Sequence, residues 1–407
     1  MATSHVAVRT ASLGWLAAAL SIGCIEIRDS DAEASTPKES AVSDSASRRA
    51  ETKWLDTVDV SVPSYAAYSL DTAGIGARMA GATGADSLAL EATDTTRITP
   101  IRRFPARIAG RGSVPLQLQI LLDRANFSPG IIDGEWGNNA SRALAFYKAA
   151  SSASDPASDD PARVTTLDRA TYDRLRSAAG QEPLLTKYTV SAQDLSGPFV
   201  EIPDSVYEQA KLRCLCYTNP VEAIAERYHT SRKLLAQLNP GIDLDRLTAG
   251  VTLAVPNVDL PTTAASPMDT VEIARLVISK KGFWTQALDR SGRVVLHFPS
   301  TLGAGYDPSP SGAFRITGVA RNPAFHYQPK LFAEVPDSRP EARLPPGPNS
   351  PVGVVWIALS KPHYGIHGTP SPETIGYASS HGCVRLTNWD ALLLSDMVEN
   401  GTPVEFR

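Results

Sequence analysis

At 407 residues the chain is long enough for about two to four domains, and a hydrophobic content of 43% permits sizeable cores. A formal net charge of -4 leaves no overall basic footprint, which argues against nucleic acid as a partner except through a local patch.

The N-terminus reads as an export signal: Arg9 supplies positive charge, and residues 11–23 form an apolar run that ends at Cys24 and is too short to span a bilayer. Ser21-Ile22-Gly23-Cys24 resembles a bacterial lipobox, with Ser21 where Leu is usual. That resemblance implies acylation of Cys24, membrane attachment through a lipid anchor, and residence in the cell envelope or periplasm of a bacterium. The alternative is an ordinary cleaved signal peptide, whose best small-residue site is Ala32-Glu33-Ala34. Residues 25–105 are rich in Ala, Ser, Thr and Asp without a sustained apolar period, the composition of a flexible tether. Short apolar patches at 58–68 and 98–104 are candidates for docking onto a domain.

From 106 to 186 the pattern is helical. Leu116, Ile120, Leu121 and Leu122 form one stripe, Asn126-Phe-Ser-Pro-Gly130 breaks it, and Ala143, Leu144, Phe146 and Tyr147 form a second before a last helix over 168–179. A Leu-Gln helix, the loop Asp133-Gly-Glu-Trp-Gly137 and a following helix leading to an aromatic together resemble the small three-helix peptidoglycan-binding domain. The resemblance implies contact with glycan or stem peptide; the plain alternative makes Trp136 a core aromatic. An insertion of Ser, Ala and Asp spans 151–161.

Residues 187–258 read as strand, helix, helix, strand, with the helices over 221–228 and 231–238 and strands near Tyr188 and Leu253. This β-α-α-β order, with Asn239-Pro-Gly241 after the second helix, resembles a LysM domain interrupted by a long insertion at 191–220. Carbohydrate binding and a purely structural spacer are both compatible with it. Cys214 and Cys216 lie inside the insertion. A Cys-x-Cys disulfide closes a tight ring, so the pair reads as bonded or as two buried thiols, and a metal site would have only His229 nearby in sequence.

A linker at 259–267 precedes a β-rich region, 268–407. Strands are predicted over 271–278, 284–288, 293–298, 314–317 and 354–359, with a hairpin turn at Asp289-Arg-Ser-Gly292, a Pro-rich loop over 345–351 and one late helix over 389–399. The chemistry-bearing stretch follows: Tyr364-Gly-Ile-His-Gly-Thr, then Ser380-His-Gly-Cys-Val-Arg385, with fifteen residues between His367 and Cys383. A nucleophilic cysteine needs a base or a positive field, and imidazole suits neutral pH. Spacing alone leaves open whether His367 or His381 is that base.

Together with Gly347-Pro-Asn-Ser-Pro-Val-Gly353, these motifs resemble the L,D-transpeptidase (YkuD-like) family over 268–407. The resemblance implies a mostly β catalytic domain of β-sandwich type. It implies Cys383 as nucleophile, His367 as proton acceptor and donor, and the Gly368 carbonyl as the group orienting the imidazole. Backbone N–H groups around His381, Gly382 and Cys383 would face the oxyanion. Arg385, Tyr364 and Ser380 would bind substrate or line the pocket. His297, His326 and His363 are assigned no chemical role.

The implied activity is two-step acyl transfer on tetrapeptide stems of peptidoglycan, with stem peptide and glycan as partners, no metal or organic cofactor, and a monomer as the working form. Alternatives are an L,D-carboxypeptidase or endopeptidase using the same cysteine, a catalytically inert wall-binding protein, and a metal hydrolase liganded by His367, His381 and Cys383.

Overall fold

The structure is a computed structural model that describes residues 98–151, 159–258, 271–305, 307–332 and 335–407. The export segment with Cys24, most of the expected tether, residues 152–158 of the Ser-Ala-Asp insertion and the linker at 259–267 lie outside the described residues. Among the described residues no helix is long and apolar enough to cross a membrane.

The first unit holds strand β1 (Ala106–Arg107), helix α1 (Ser113–Arg124), α2 (Asn138–Ala150), strand β2 (Thr166–Leu167), which pairs with β1, and α3 (Arg169–Ala178). Helix α1 is apolar on two sides, which is why it sits between two cores. Leu118, Leu121 and Leu122 enter the core of this unit, whereas Leu116 and Ile120, four residues apart, face the next unit. The Asp-Gly-x-x-Gly loop is held by α1 itself: buried Gln119 donates to Asp133 Oδ1 (2.9 Å) and accepts from the Gly134 N–H (2.8 Å). Trp136 is a core residue, its indole N–H donating to the Val164 carbonyl at 2.7 Å. Residues 98–105, expected to belong to the tether, are docked. Ile101 and Phe104 pack against this core, with Phe104 5.4 Å from Tyr172, because their apolar area has somewhere to go.

The second unit comprises β3 (Leu185–Thr189), a short helix α4 (Val206–Gln209), α5 (Pro220–Arg227), α6 (Arg232–Leu238) and β4 (Thr252–Pro256), with β3 and β4 antiparallel. Both longer helices start as their sequences dictate: Asn219 caps α5 with Pro220 in its first turn, and Ser231 caps α6. Buried Asn239 ties α6 to β4 through bonds with Leu235 and both backbone groups of Ala254. Within the insertion Cys214 and Cys216 are joined as a disulfide, which resolves the choice left open by their spacing.

The third unit contains β5 (Arg275–Ser279), β6 (Trp284–Leu288), β7 (Val294–Pro299), β8 (Gly312–Arg321), β9 (Phe325–Tyr327), β10 (Ala342–Leu344), β11 (Val355–Leu359), β12 (Gly365–His367), β13 (Val384–Arg385), helix α7 (Asn388–Met397) and β14 (Pro403–Phe406). The β-sandwich expected for this unit is realised as one eight-stranded sheet in the order β13-β12-β11-β8-β14-β5-β6-β7, with β9 and β10 as a separate hairpin. The pairs β12–β13 and β14–β5 are parallel and the rest antiparallel. The sheet curls, because Val384 at one end of the order shares a core with Leu296 and Phe298 at the other. Backbone bonds between Thr301, just past β7, and Arg385 on β13 (2.9 and 3.0 Å) join the two edges. Helix α7, capped by Thr387, packs Ala391, Leu392 and Leu394 into the same core.

The units share buried seams. Phe127 and Phe146 of the first pack with Trp284 of the sheet and with fully buried His297, and the 126–128 loop bonds to the backbone of β7 at His297 (2.8 and 3.0 Å). Leu215, between the two bonded cysteines, packs with Tyr327 and Leu344 of the β9–β10 hairpin and exchanges backbone bonds with Pro346 and Asn349 (2.9 Å each). Strands β9, β10, β12, β13 and β14 are too short or too Gly-rich and Pro-rich to signal themselves in sequence, and tertiary pairing makes them.

Candidate active site

Parallel pairing of β12 with β13 builds the site: Ile366 lies opposite Val384 and His367 opposite Arg385, so Cys383, one residue ahead of β13, lies at the Gly365 end of β12. The intervening chain from 368 to 382 returns as a loop, which is how fifteen residues of separation become adjacency. Trp356 of β11 serves both groups. Its ring stacks on His367 (5.4 Å between centroids, 18° between planes), and it shares an apolar cluster with Cys383 and Phe325.

His367 is buried, and its Nδ1 lies 2.7 Å from the Gly368 carbonyl oxygen. A carbonyl only accepts, so Nδ1 carries the proton and Nε2 is left as the basic nitrogen. Burial, with the Arg385 guanidinium adding to it, lowers the imidazole pKa to about 3. Burial pushes the Cys383 thiol up to about 11, against the pull of a Gly365 backbone bond and of Arg385. Burial thus favours the uncharged form of each group, thiol for Cys383 and neutral imidazole for His367.

The turn carrying the cysteine is braced from beneath. Buried Ser380 donates from Oγ to the Cys383 carbonyl (2.6 Å), Ser309 donates to the Gly382 carbonyl (2.8 Å), and Ser380 exchanges backbone bonds with Leu302 and Ala304. Gly382 has a left-handed backbone (φ +94°), and a Cβ there would stand 2.8 Å from the Tyr364 ring, so the turn requires glycine on both counts. Cys383 Sγ donates to the His363 carbonyl at 3.5 Å.

The remaining expected site residues divide. Arg385 is pinned by its backbone to Thr301 and places its charge on both His367 and Cys383. Tyr364 packs partly into the main core with the Lys361 ammonium 4.7 Å over its ring, and burial raises its phenol pKa. His381 points elsewhere: its ring meets Phe332 edge-on at 4.9 Å, beside the β9–β10 hairpin. Of the unassigned histidines, His297 is a core residue held neutral by burial, His326 pairs with Glu341 at 3.1 Å, and His363 offers its carbonyl to the thiol. Among the described residues no group of three or more His, Cys, Asp or Glu converges as a metal site would need.

Two residues at the site carried no motif signal. Trp356 lies within a predicted strand, and only its stacking on His367 distinguishes it from any buried aromatic. Asn388, the first residue of α7, accepts from the Thr369 and Val354 N–H groups beneath the histidine (3.1 and 3.3 Å). In sequence it looks like a helix start following the Thr387 cap.

Residues 274–406 match the family model of the L,D-transpeptidase catalytic domain, YkuD. The chain is 34% identical over 184 residues to a Bacillus licheniformis protein named L,D-transpeptidase YkuD, covering 45% of this chain and 91% of that one. It is 29% identical over 193 residues to the Escherichia coli protein named L,D-transpeptidase YbiS, covering 46% of this chain and 60% of that one. Among solved structures, an L,D-transpeptidase from Mycobacterium smegmatis aligns at 23% identity and a TM-score of 0.28, over 34% of this chain and 59% of that one. With its curled, mostly β catalytic unit matched by the family model and nearly the whole of a relative covered, this chain belongs to the YkuD-like L,D-transpeptidase family.

Proposed function

We propose that the protein crosslinks peptidoglycan in the bacterial cell envelope by cysteine acyl transfer between stem peptides. The observation that carries this reading is the parallel pairing that sets Cys383 and His367 on neighbouring strand ends, with the imidazole's Nδ1–H committed to the Gly368 carbonyl and Nε2 left to take a proton. Deprotonation of the thiol is coupled to its attack on the substrate.

In the first step Cys383 Sγ attacks the carbonyl of the third residue of a tetrapeptide stem while His367 Nε2 takes the thiol proton. The tetrahedral oxyanion faces backbone N–H groups of the 381–383 turn, each donor worth about 10²–10³ in rate. The peptide C–N bond then breaks, and His367 returns the proton to the departing terminal D-amino acid, leaving a thioester. In the second step His367 takes a proton from an amine on a neighbouring stem as that amine attacks, and the C–S bond breaks to release the crosslinked product and restore the thiol. Arg385, Tyr364 and Ser380 bind stem peptide or shape its pocket, and His381 contributes through the backbone of its turn.

The units at 106–186 and 187–258 serve as a peptidoglycan-binding domain and a LysM-like domain that hold the catalytic unit against its polymer, raising the local concentration of acceptor strands. Residues 1–24 are the export signal, acylation of Cys24 anchors the chain, 25–105 carry the reach from the membrane, and the chain works as a monomer on stem peptide and glycan.

Mass spectrometry of tetrapeptide-bearing muropeptides incubated with the full chain tests the reading. Dimers linked between third-position residues, absent with Cys383→Ala and His367→Ala, are expected. Tripeptides without dimers would reassign the enzyme to hydrolysis, and unchanged muropeptides bound by the protein would reassign it to wall attachment without catalysis.

A further inference from the structure

The orienting contact of His367 belongs to a longer chain of bonds that ends in a different unit. The Gly368 carbonyl that receives the His367 Nδ1–H and the Thr369 N–H are opposite ends of one planar peptide group. That N–H donates to Asn388 Oδ1 at 3.1 Å. The other end of the same amide, Asn388 Nδ2, donates to the carboxyl oxygens of Glu226 on α5 (3.1 and 3.2 Å) and to the Pro348 carbonyl (3.2 Å). The orientation of the Asn388 amide is forced, because its oxygen faces two N–H groups and its nitrogen faces only acceptors.

Two further observations show that this arrangement is built to close tolerance. A Cβ on Gly368 would stand 2.1 Å from Asn388 Oδ1, so the backbone beneath the histidine approaches the amide as only glycine allows. Glu226 is itself fixed, since Tyr217 donates to its Oε1 at 3.0 Å, and Glu222, one turn earlier on α5, accepts from Asn349 Nδ2 at 2.9 Å. The helix thus grips the catalytic unit at two neighbouring points.

We propose that Glu226 is a positioning residue for the proton-transferring histidine, acting from the second unit through the Asn388 amide and the 368–369 peptide. The proposal rests on the cysteine–histidine reading above. Three consecutive bonds, carboxylate to amide N–H, amide carbonyl to peptide N–H, and peptide carbonyl to imidazole N–H, align their dipoles in one direction and strengthen one another. The carboxylate that orients histidine in other nucleophilic triads has its counterpart here two amide groups away. Its consequence is that the second unit completes the active site in addition to any contact it makes with the wall.

The test uses the full chain and its variants Glu226→Gln, Glu226→Leu and Asn388→Ala, with His367→Ala as control. It measures kcat and KM for tetrapeptide turnover, the rate of Cys383 alkylation by iodoacetamide, and the melting temperature. Displacing a catalytic group by about 1 Å costs about 10²-fold, so Glu226→Leu and Asn388→Ala should lower kcat by about 10- to 100-fold with KM nearly unchanged. Glu226→Gln, which still offers an acceptor to Asn388, should recover most of the loss, and the double variant Glu226→Leu/Asn388→Ala should be no worse than Asn388→Ala alone. Wild-type kcat in a folded Glu226→Leu protein, or a lowered melting temperature with unchanged kcat, overturns the proposal. Should Glu226→Leu fail to fold, wild-type kcat in folded Asn388→Ala overturns it equally. If His367→Ala keeps wild-type turnover, the cysteine–histidine reading itself has failed, an outcome separate from those above.

Discussion

Replacing Asp390 by Asn should make the protein more tolerant of rising pH. Asp390 lies in the first turn of α7, where its buried carboxyl accepts from Ser128 Oγ at 2.9 Å and its backbone N–H donates to the Thr387 cap. Burial, and after it the charge of Asp123, raises its pKa from 3.8 to about 7, while hydrogen bonds from Thr387 and Ser128 and the imidazole of His229 pull the other way. The folded protein therefore keeps this proton up to about pH 7, whereas the unfolded chain releases it near pH 4. Between those values the folded state binds more protons, so stability falls as pH rises. A shift of about 3 units at about 1.36 kcal/mol each amounts to about 4 kcal/mol across the whole window, of which about 3 kcal/mol falls above pH 5. Asparagine keeps an acceptor for Ser128 and carries no charge. Urea unfolding followed by tryptophan fluorescence at pH 5, 6, 7 and 8 should show the variant gaining about 3 kcal/mol on the wild type over that range. Titrating groups that do not interact with Asp390, among them Glu226 and His297, are common to both chains and cancel in the difference. A stability difference that stays constant from pH 5 to 8 would refute the assignment of a proton to Asp390.

Further outcomes follow from the same structure. Because burial holds the Cys383 thiol near 11, alkylation without substrate should climb steadily through pH 9 with no plateau, and a plateau below pH 8 would show a resting thiolate instead. Gly368→Ala places a methyl group 2.1 Å from Asn388 Oδ1, so it should lower both stability, by about 1–3 kcal/mol, and turnover, read from melting and muropeptide assays. Phe146→Ala opens the seam between α2 and Trp284, 5.2 Å away, and should cost about 3–5 kcal/mol in urea unfolding. Among the described cysteines, only Cys383 should take up a thiol reagent in denaturant without reductant, and Cys214 and Cys216 should join it after reduction, as peptide mass mapping would record.

Cys383, His367 and their glycines stand out in the sequence because they lie in one short segment with a dense motif, and the structure brings their strands side by side. The long helices were legible for a different reason, since Leu116, Ile120, Leu121 and Leu122 on α1 repeat with the period of the helix they form, although the structure divides them between two cores. What escaped was whatever depends on partners far away in sequence. Strand β13 is two residues long and exists because β12 and Thr301 pair with it. Asn388 has no local signature, as its bonds run to residues 19 to 162 positions away. Trp136 shows the converse: the plain reading of a core aromatic needed no distant partner, and the structure buries it with its N–H satisfied inside the fold. Residues 98–105 looked like tether because composition is averaged over a window, whereas docking is decided by a few side chains such as Phe104.

The place of β14 in the sheet bears on how the chain acquires its shape. Pro403–Phe406 comes last in the catalytic unit yet lies between β8 and β5 in the middle of the order, so two blocks of strands made earlier are joined through it. Until that segment is released, Leu276 and Ile278 on one side and Phe314 on the other lack their shared neighbour, and their apolar faces stay available to chaperones or to other unfinished copies. The local hairpins β5–β6 and β6–β7 can therefore form before the sheet closes, and closure waits on pairings of high sequence separation such as β14 with β5.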